Sequence, residues 1–425
     1  MFDLDPEAEL EPSRWLQEIA DWTRASERWV DSECLNLYAG TNIQSPAVRR
    51  ALATTLNSRP SLGDPGDKYE TGLEYADRIE NLCSALLRRL FRARFVELRA
   101  LSGSMANLLV YMAVTRPGDP ILAMPVAAAG HASHSSLGVA GRYGLDVHDI
   151  PCRPGTHLVD WDCLERVIRR VRPRLVVTGS SLPLLPTDLR RVRELAASIG
   201  APVLYDSAHV AGLIAGGRFQ DPLADGADIV TCSTYKSFGG PAGGLILTGD
   251  EDLARRLRDA AYPGLVANFD LARVAGTAVA ALELVTFGGD YAAACLANAQ
   301  MLADELRARG LPVFSPDGGG TWTRSHLVAV DAREFGGGTA AARACEPAGL
   351  LFSGIPLPLE APGAAYAGLR LGVQELTRWG LGPEAMGEVA ELLAEALRHP
   401  ERAPALRERT RRLRSGFQTL RFALD

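Results

Sequence analysis

A chain of 425 residues that is 47% hydrophobic and 23% charged can bury the cores of two or three globular units, which excludes a disordered or fibrous protein. Its net charge of −6, from 51 acidic and 45 basic residues spread along the chain, argues against nucleic acid or an anionic membrane as the main partner. Seven scattered cysteines without C-x-x-C spacing read as thiols of a reducing compartment, not a disulfide frame or metal site. The acidic start MFDLDPEAELEP has no apolar leader, and no uninterrupted apolar run of spanning length follows, so the sequence predicts a cytoplasmic protein.

In chain order, Trp15, Ile19, Trp22 and Trp29 fall on one helical stripe of an N-terminal arm, which could pack on a second subunit. Ser45 followed by Pro46 predicts a helix start. The proline- and glycine-rich stretch SRPSLGDPGDKYETG at 58–72 predicts a loop that carries Lys68, Tyr69 and Glu70. After a helix over about 73–92, a strand at 95–101 turns through Ser102, Gly103 and Ser104 into an apolar helix, and such a turn suits a phosphate. Apolar strands at 121–125, 145–151, 174–181, 202–209, 228–234 and 244–250 alternate with helices, which predicts an α/β fold with a mostly parallel sheet covered on both faces. In such sheets ligands sit at strand ends, and these ends supply Ser181, Asp206, His209 and Lys236. Beyond 264 come two apolar helical stretches, short strands and a final helix, which predict a smaller C-terminal α+β domain. The expected division is an arm at 1–50, a large domain at 51–275 and a small domain at 276–425. The basic run at 407–414 reads as a solvated helix face.

Lys236 and Lys68 are the chain's two lysines amid many arginines. Lys236 ends the strand-like run IVTCSTY and opens the glycine-rich turn SFGGPAGG, so an amine able to lose its proton stands at a strand mouth. A phosphate cradle, a strand-end aspartate and a downstream lysine are together what pyridoxal phosphate requires: the lysine forms a Schiff base, and the aspartate keeps the ring nitrogen protonated.

The motifs LSGSMANLLVY, GHASH, YDSAHVAGLIA, STYKSFGGPAGG, PGDKY and GLRLGVQELTRWG occur in an order that resembles serine hydroxymethyltransferase and its fold-type I pyridoxal phosphate relatives, over about residues 35–397. The resemblance implies that Lys236 holds the cofactor, Asp206 binds the ring nitrogen and His131 stacks on the ring. It implies Ser102, Gly103 and Ser104 at the phosphate, Ser181 and His209 near the ring hydroxyl, and Arg370 at the carboxylate of a small amino-acid substrate. It also implies a homodimer in which Tyr69 reaches the neighbouring active site. Departures accompany these matches: Leu62 stands where the family carries a glutamate, Glu70 at a tyrosine, Gly40 at a serine, Tyr235 at a histidine and Ser353 at an asparagine. Several of these positions serve folate in the family, so the use of tetrahydrofolate is left open. Cleavage or formation of the Cα–Cβ bond of a β-hydroxy-α-amino acid such as serine or α-methylserine needs a base near the β-hydroxyl, for which Glu70 and His134 are the candidates. A folate-independent threonine aldolase or transaldolase is the alternative, and another reaction at Cα or a non-catalytic cofactor-binding protein would share Lys236 and Asp206.

Overall fold

The computed structural model describes residues 11–59, 61–359 and 366–425; most of the acidic start, at 1–10, and Pro60 of the loop lie outside them. The strands expected from the apolar runs all form, and seven of them make one sheet. Its order is Phe95–Glu97, Gly244–Thr248, Ile229–Ser233, Val203–Asp206, Leu175–Thr178, Pro120–Ala123, Asp146–Asp149. Gly244–Thr248 runs antiparallel to both neighbours, and every other pairing is parallel. Every residue of Leu175–Thr178, Val203–Asp206 and Ile229–Ser233 is buried, because helices cover both faces and no solvent side requires polar alternation. Successive side chains enter opposite cores: Leu175 and Val177 pack with Ile121 and Leu204, whereas Val176 packs with Leu122 and Val203.

Ser45 caps its helix as expected, accepting from the Val48 N–H. The two helices expected past residue 264 are instead one helix, Leu271–Ala308, of 38 residues. The glycine pair at 288–289 does not interrupt it; a Cβ on Gly216 would fall 2.2 Å from the Gly288 carbonyl oxygen, so a bare backbone at 216 permits close packing on the helix. By length and composition this helix could cross a membrane, yet 67% of its most apolar window is buried within the protein, as befits a core helix. The expected boundary at 275/276 falls inside this continuous element.

A second sheet places Gly368–Gly372 between Leu327–Asp331 and Ser353–Ile355, all antiparallel. The N-terminal segment joins this part of the molecule, because Leu35–Asn36 pairs in parallel with Leu350–Leu351. The basic run near the C-terminus is not simply a solvated face. Arg414 is buried, donates to the Asp31 carbonyl and lies 3.9 Å from the Trp379 ring centre, while Arg407 sits over Trp29. The cysteines are free, and five of them are buried.

Candidate active site

Strand ends and one helix start converge on Lys236, whose side chain is buried just beyond Ile229–Ser233. Its backbone is pinned: the Lys236 carbonyl accepts from Asn42 and from the Gly239 N–H, and the Ser237 carbonyl accepts from the Tyr291 hydroxyl. Burial, reinforced by the Arg370 charge and only partly offset by Asp206, lowers the amine to about 8. Near neutral pH it therefore yields a usable fraction of free base, which an exposed lysine does not. Lys68 is in a different situation, since its ammonium is buried against Glu80 at 2.6 Å and donates to the Gly63 carbonyl.

Nε2 of His209 lies 3.3 Å from both Lys236 Nζ and Arg370 Nη1. Both neighbours are donors, so Nε2 accepts and the ring proton sits on Nδ1, which has no partner among the described residues. Burial, followed by the Lys236 and Arg370 charges, holds His209 well below the usual histidine range and keeps it neutral. Arg370 extends from the three-stranded sheet opposite Ser353 and donates to the Ser181 carbonyl at 2.8 Å, with Ser353 Oγ 3.3 Å from Nη2. Its Nε has no partner among the described residues.

Asp206 closes strand Val203–Asp206. One carboxylate oxygen accepts from His134 Nε2 at 2.9 Å and Asn107 Nδ2 at 3.0 Å, and the other accepts from the Ala208 N–H. Burial pushes the carboxyl up, but these hydrogen bonds and the nearby imidazoles outweigh it and hold Asp206 below the usual carboxylate range. His131 is half-buried, and its Nδ1 receives both the Ser133 hydroxyl, at 2.7 Å, and the Ser133 N–H. Burial lowers His131 to about 4, so its ring is neutral at physiological pH. Ser102 is the N-cap of helix Gly103–Val114, with its hydroxyl accepting from the Met105 N–H. A Cβ on Gly103 would lie 2.5 Å from Ser233 Oγ and would have to displace that hydroxyl, so glycine lets the turn pack closely on Ser233, and the first N–H groups of a helix are those free to meet a ligand.

The Serine hydroxymethyltransferase family profile matches residues 16–393. The chain belongs to the serine hydroxymethyltransferase family. It is 46% identical to an alpha-methylserine aldolase of Variovorax paradoxus over 93% of this chain and 89% of that protein. It is 44% identical to an alpha-methylserine aldolase of Ralstonia sp over 86% and 83%. To the serine hydroxymethyltransferase of Methanopyrus kandleri it is 39% identical, over 96% and 95%.

Serine hydroxymethyltransferases are in general dependent on pyridoxal phosphate, and the residues present in this member fit that group. Two buried polar atoms without partners among the described residues, Arg370 Nε and His209 Nδ1, belong to side chains grouped with a partly neutral lysine. Asp206, a carboxylate held ionised, and the start of helix Gly103–Val114 complete the set.

One of the two base candidates is placed otherwise than a base requires. His134 is fully buried with both ring nitrogens engaged, Nε2 on Asp206 and Nδ1 on the Tyr111 hydroxyl at 2.5 Å, so it supports the aspartate and is not offered to a substrate. Glu70 and Tyr69 end a short hairpin, Gly63–Asp64 with Asp67–Lys68. Glu70 accepts from the Leu62 N–H, while the Tyr69 side chain is 83% exposed. Asn107, Tyr111, Ser133 and Thr231 were not anticipated. The available signal was two polar side chains four residues apart, Asn107 and Tyr111, on one face of an otherwise apolar helix.

Proposed function

We propose that this chain is a fold-type I pyridoxal phosphate enzyme that makes and breaks the Cα–Cβ bond of β-hydroxy-α-amino acids, with α-methylserine as the favoured substrate class and no requirement for tetrahydrofolate. The observation that carries this reading is the contrast within one site: Lys236, Asp206, His131 and Arg370 are all present, whereas Leu62 replaces the glutamate expected from the family. Relatives support the same direction, since the alpha-methylserine aldolases share 43–46% identity and the serine hydroxymethyltransferases 36–39%.

When bound, the cofactor supplies an electron sink for charge developing at the substrate Cα. Lys236 is proposed as its covalent anchor, Asp206 as the ring-nitrogen partner and His131 as the stacking ring. Ser102, Gly103 and Ser104 are proposed to hold the phosphate, and Ser181 and His209 to border the ring hydroxyl. Arg370 takes the substrate carboxylate, and its planar fork fixes which Cα bond is turned for cleavage. For α-methylserine the bond from Cα to the hydroxymethyl carbon breaks, the β-hydroxyl proton leaves and Cα gains a proton, giving formaldehyde and alanine. Glu70 is the proposed base. One oxygen is braced by the Leu62 N–H, and the loop is proposed to reach the neighbouring subunit's site with Tyr69 beside the substrate.

This reading describes a cytoplasmic homodimer, with a large cofactor-binding unit followed by a smaller C-terminal one. Its test is to incubate the purified protein with α-methylserine, L-serine and L-threonine, each with and without tetrahydrofolate. Formaldehyde released from α-methylserine without folate is the expected result. Strict dependence on folate, or turnover of threonine alone, would overturn it.

A further inference from the structure

The ring-nitrogen aspartate stands at the end of a hydrogen-bond chain whose polarity can be read from bond counts. Tyr111 is fully buried on helix Gly103–Val114, and its hydroxyl has one partner among the described residues, Nδ1 of His134. If that nitrogen carried a proton, it would donate to the phenol, and the phenolic hydrogen would be left buried without an acceptor. Tyr111 therefore donates, Nδ1 accepts, and the ring proton is on Nε2, facing Asp206. Asn107 enforces the same sense from the other side. The Thr231 hydroxyl donates to its Oδ1 at 2.7 Å, which orients the amide so that Nδ2 donates to Asp206 and to Ser133 Oγ.

We propose that Tyr111 is a positioning residue that locks His134 in its Nε2–H tautomer, so that Asp206 faces donors only and stays a carboxylate directed at the cofactor's ring nitrogen. The inference rests on the cofactor reading given above, but the tautomer it specifies belongs to the protein alone. A phenylalanine at 111 would keep the packing volume and remove the donor. His134 could then place its proton on either nitrogen, and one of the two choices turns a lone pair toward the Asp206 carboxylate.

The test uses the full chain, with and without cofactor. In the cofactor-free wild type, nitrogen chemical shifts of the seven histidines should include one buried ring with Nε2 protonated and Nδ1 bare, and this ring should be lost in His134→Gln. In Tyr111→Phe the same ring should show a mixture of tautomers. Pyridoxal phosphate should bind Tyr111→Phe about tenfold more weakly, while a deaza analogue with C–H in place of the ring nitrogen should bind both proteins alike. Glutamine at 134 reproduces the acceptor for Tyr111 and the donor for Asp206, and should keep cofactor affinity within about threefold. Equal weakening of the two ligands by Tyr111→Phe, or no weakening, would overturn the proposal. A wild-type His134 protonated on Nδ1 would also overturn it, without recourse to any variant. Failure of the wild type to bind pyridoxal phosphate would instead defeat the cofactor reading, and the tautomer in the free protein would still decide the part played by Tyr111.

Discussion

The Leu62 N–H donates to a Glu70 carboxylate oxygen at 3.0 Å, and the Leu62 carbonyl accepts from the Tyr69 N–H. The position that lacks the family's glutamate is thus tied directly to the position that has gained one. Glutamine at 70 can still accept from Leu62 through its amide oxygen but cannot carry a proton as a carboxylate does. Glu70→Gln should leave the loop and the cofactor spectrum intact and lower turnover by about 100-fold to 10,000-fold, the usual cost of losing a general base. Steady-state rates on α-methylserine measure this, and a rate within about threefold of wild type would reduce Glu70 to a brace.

Lys236 should be the covalent site of the cofactor. Borohydride reduction followed by peptide mapping should find pyridoxyl on Lys236, and Lys236→Ala should leave Lys68 unlabelled because its ammonium is committed to Glu80. With the Lys236 amine lowered to about 8, the rate of cofactor capture by the free protein should rise about tenfold per pH unit up to pH 8 and then level off. A rate still rising steeply at pH 10 would contradict the lowered value.

Glu375 is buried with Asn36 Nδ2 on one oxygen, and burial raises its carboxyl from 4.5 to about 8. Between those values the folded protein holds a proton that the unfolded chain has released, so this group's contribution to stability declines as pH rises from 4.5 to 8. Glutamine keeps an oxygen for Asn36 and cannot ionise. Glu375→Gln should therefore stabilise the protein by about 1–3 kcal/mol at pH 7, with the gain vanishing near pH 4. Denaturant melts at the two pH values check both the sign and the disappearance.

Gly216 and Gly288 meet across the long helix but should respond oppositely to alanine. A Cβ at 216 falls 2.2 Å from the Gly288 carbonyl oxygen, whereas a Cβ at 288 meets its nearest atom, Gly216 Cα, at 3.4 Å. Gly216→Ala should cost about 1–3 kcal/mol through overpacking. Gly288→Ala should be neutral or stabilise by up to about 1 kcal/mol, since alanine is the better helix former. Thermal melts of the two variants distinguish these outcomes.

The strands and the turn at Ser102 were legible because apolar runs, caps and glycines act within a few residues. Asp206, His209, Lys236 and Arg370 could be named from local motifs, since each ends a strand, lies on one or follows one by three residues. The partners of His134 were not legible: Tyr111 and Asp206 are 23 and 72 residues from it, and no local pattern records that a ring nitrogen is already engaged. The unbroken helix Leu271–Ala308 was missed for a related reason. Glycines at 288–289 read as a break, but the structure uses that stretch for contact with Gly216, far away in sequence.

Arg370 belongs to the three-stranded sheet, yet the carbonyl that steadies it, Ser181, leaves the seven-stranded one. The grip on a substrate carboxylate proposed for Arg370 is therefore a ruler laid across two bodies. A hydrogen bond of 2.8 Å weakens badly once stretched by about 0.7 Å. On the proposed reading, any drift between the sheets beyond that would move the anchored end of the substrate while the lysine stayed still, so bond selection would be only as faithful as the fit between the two halves.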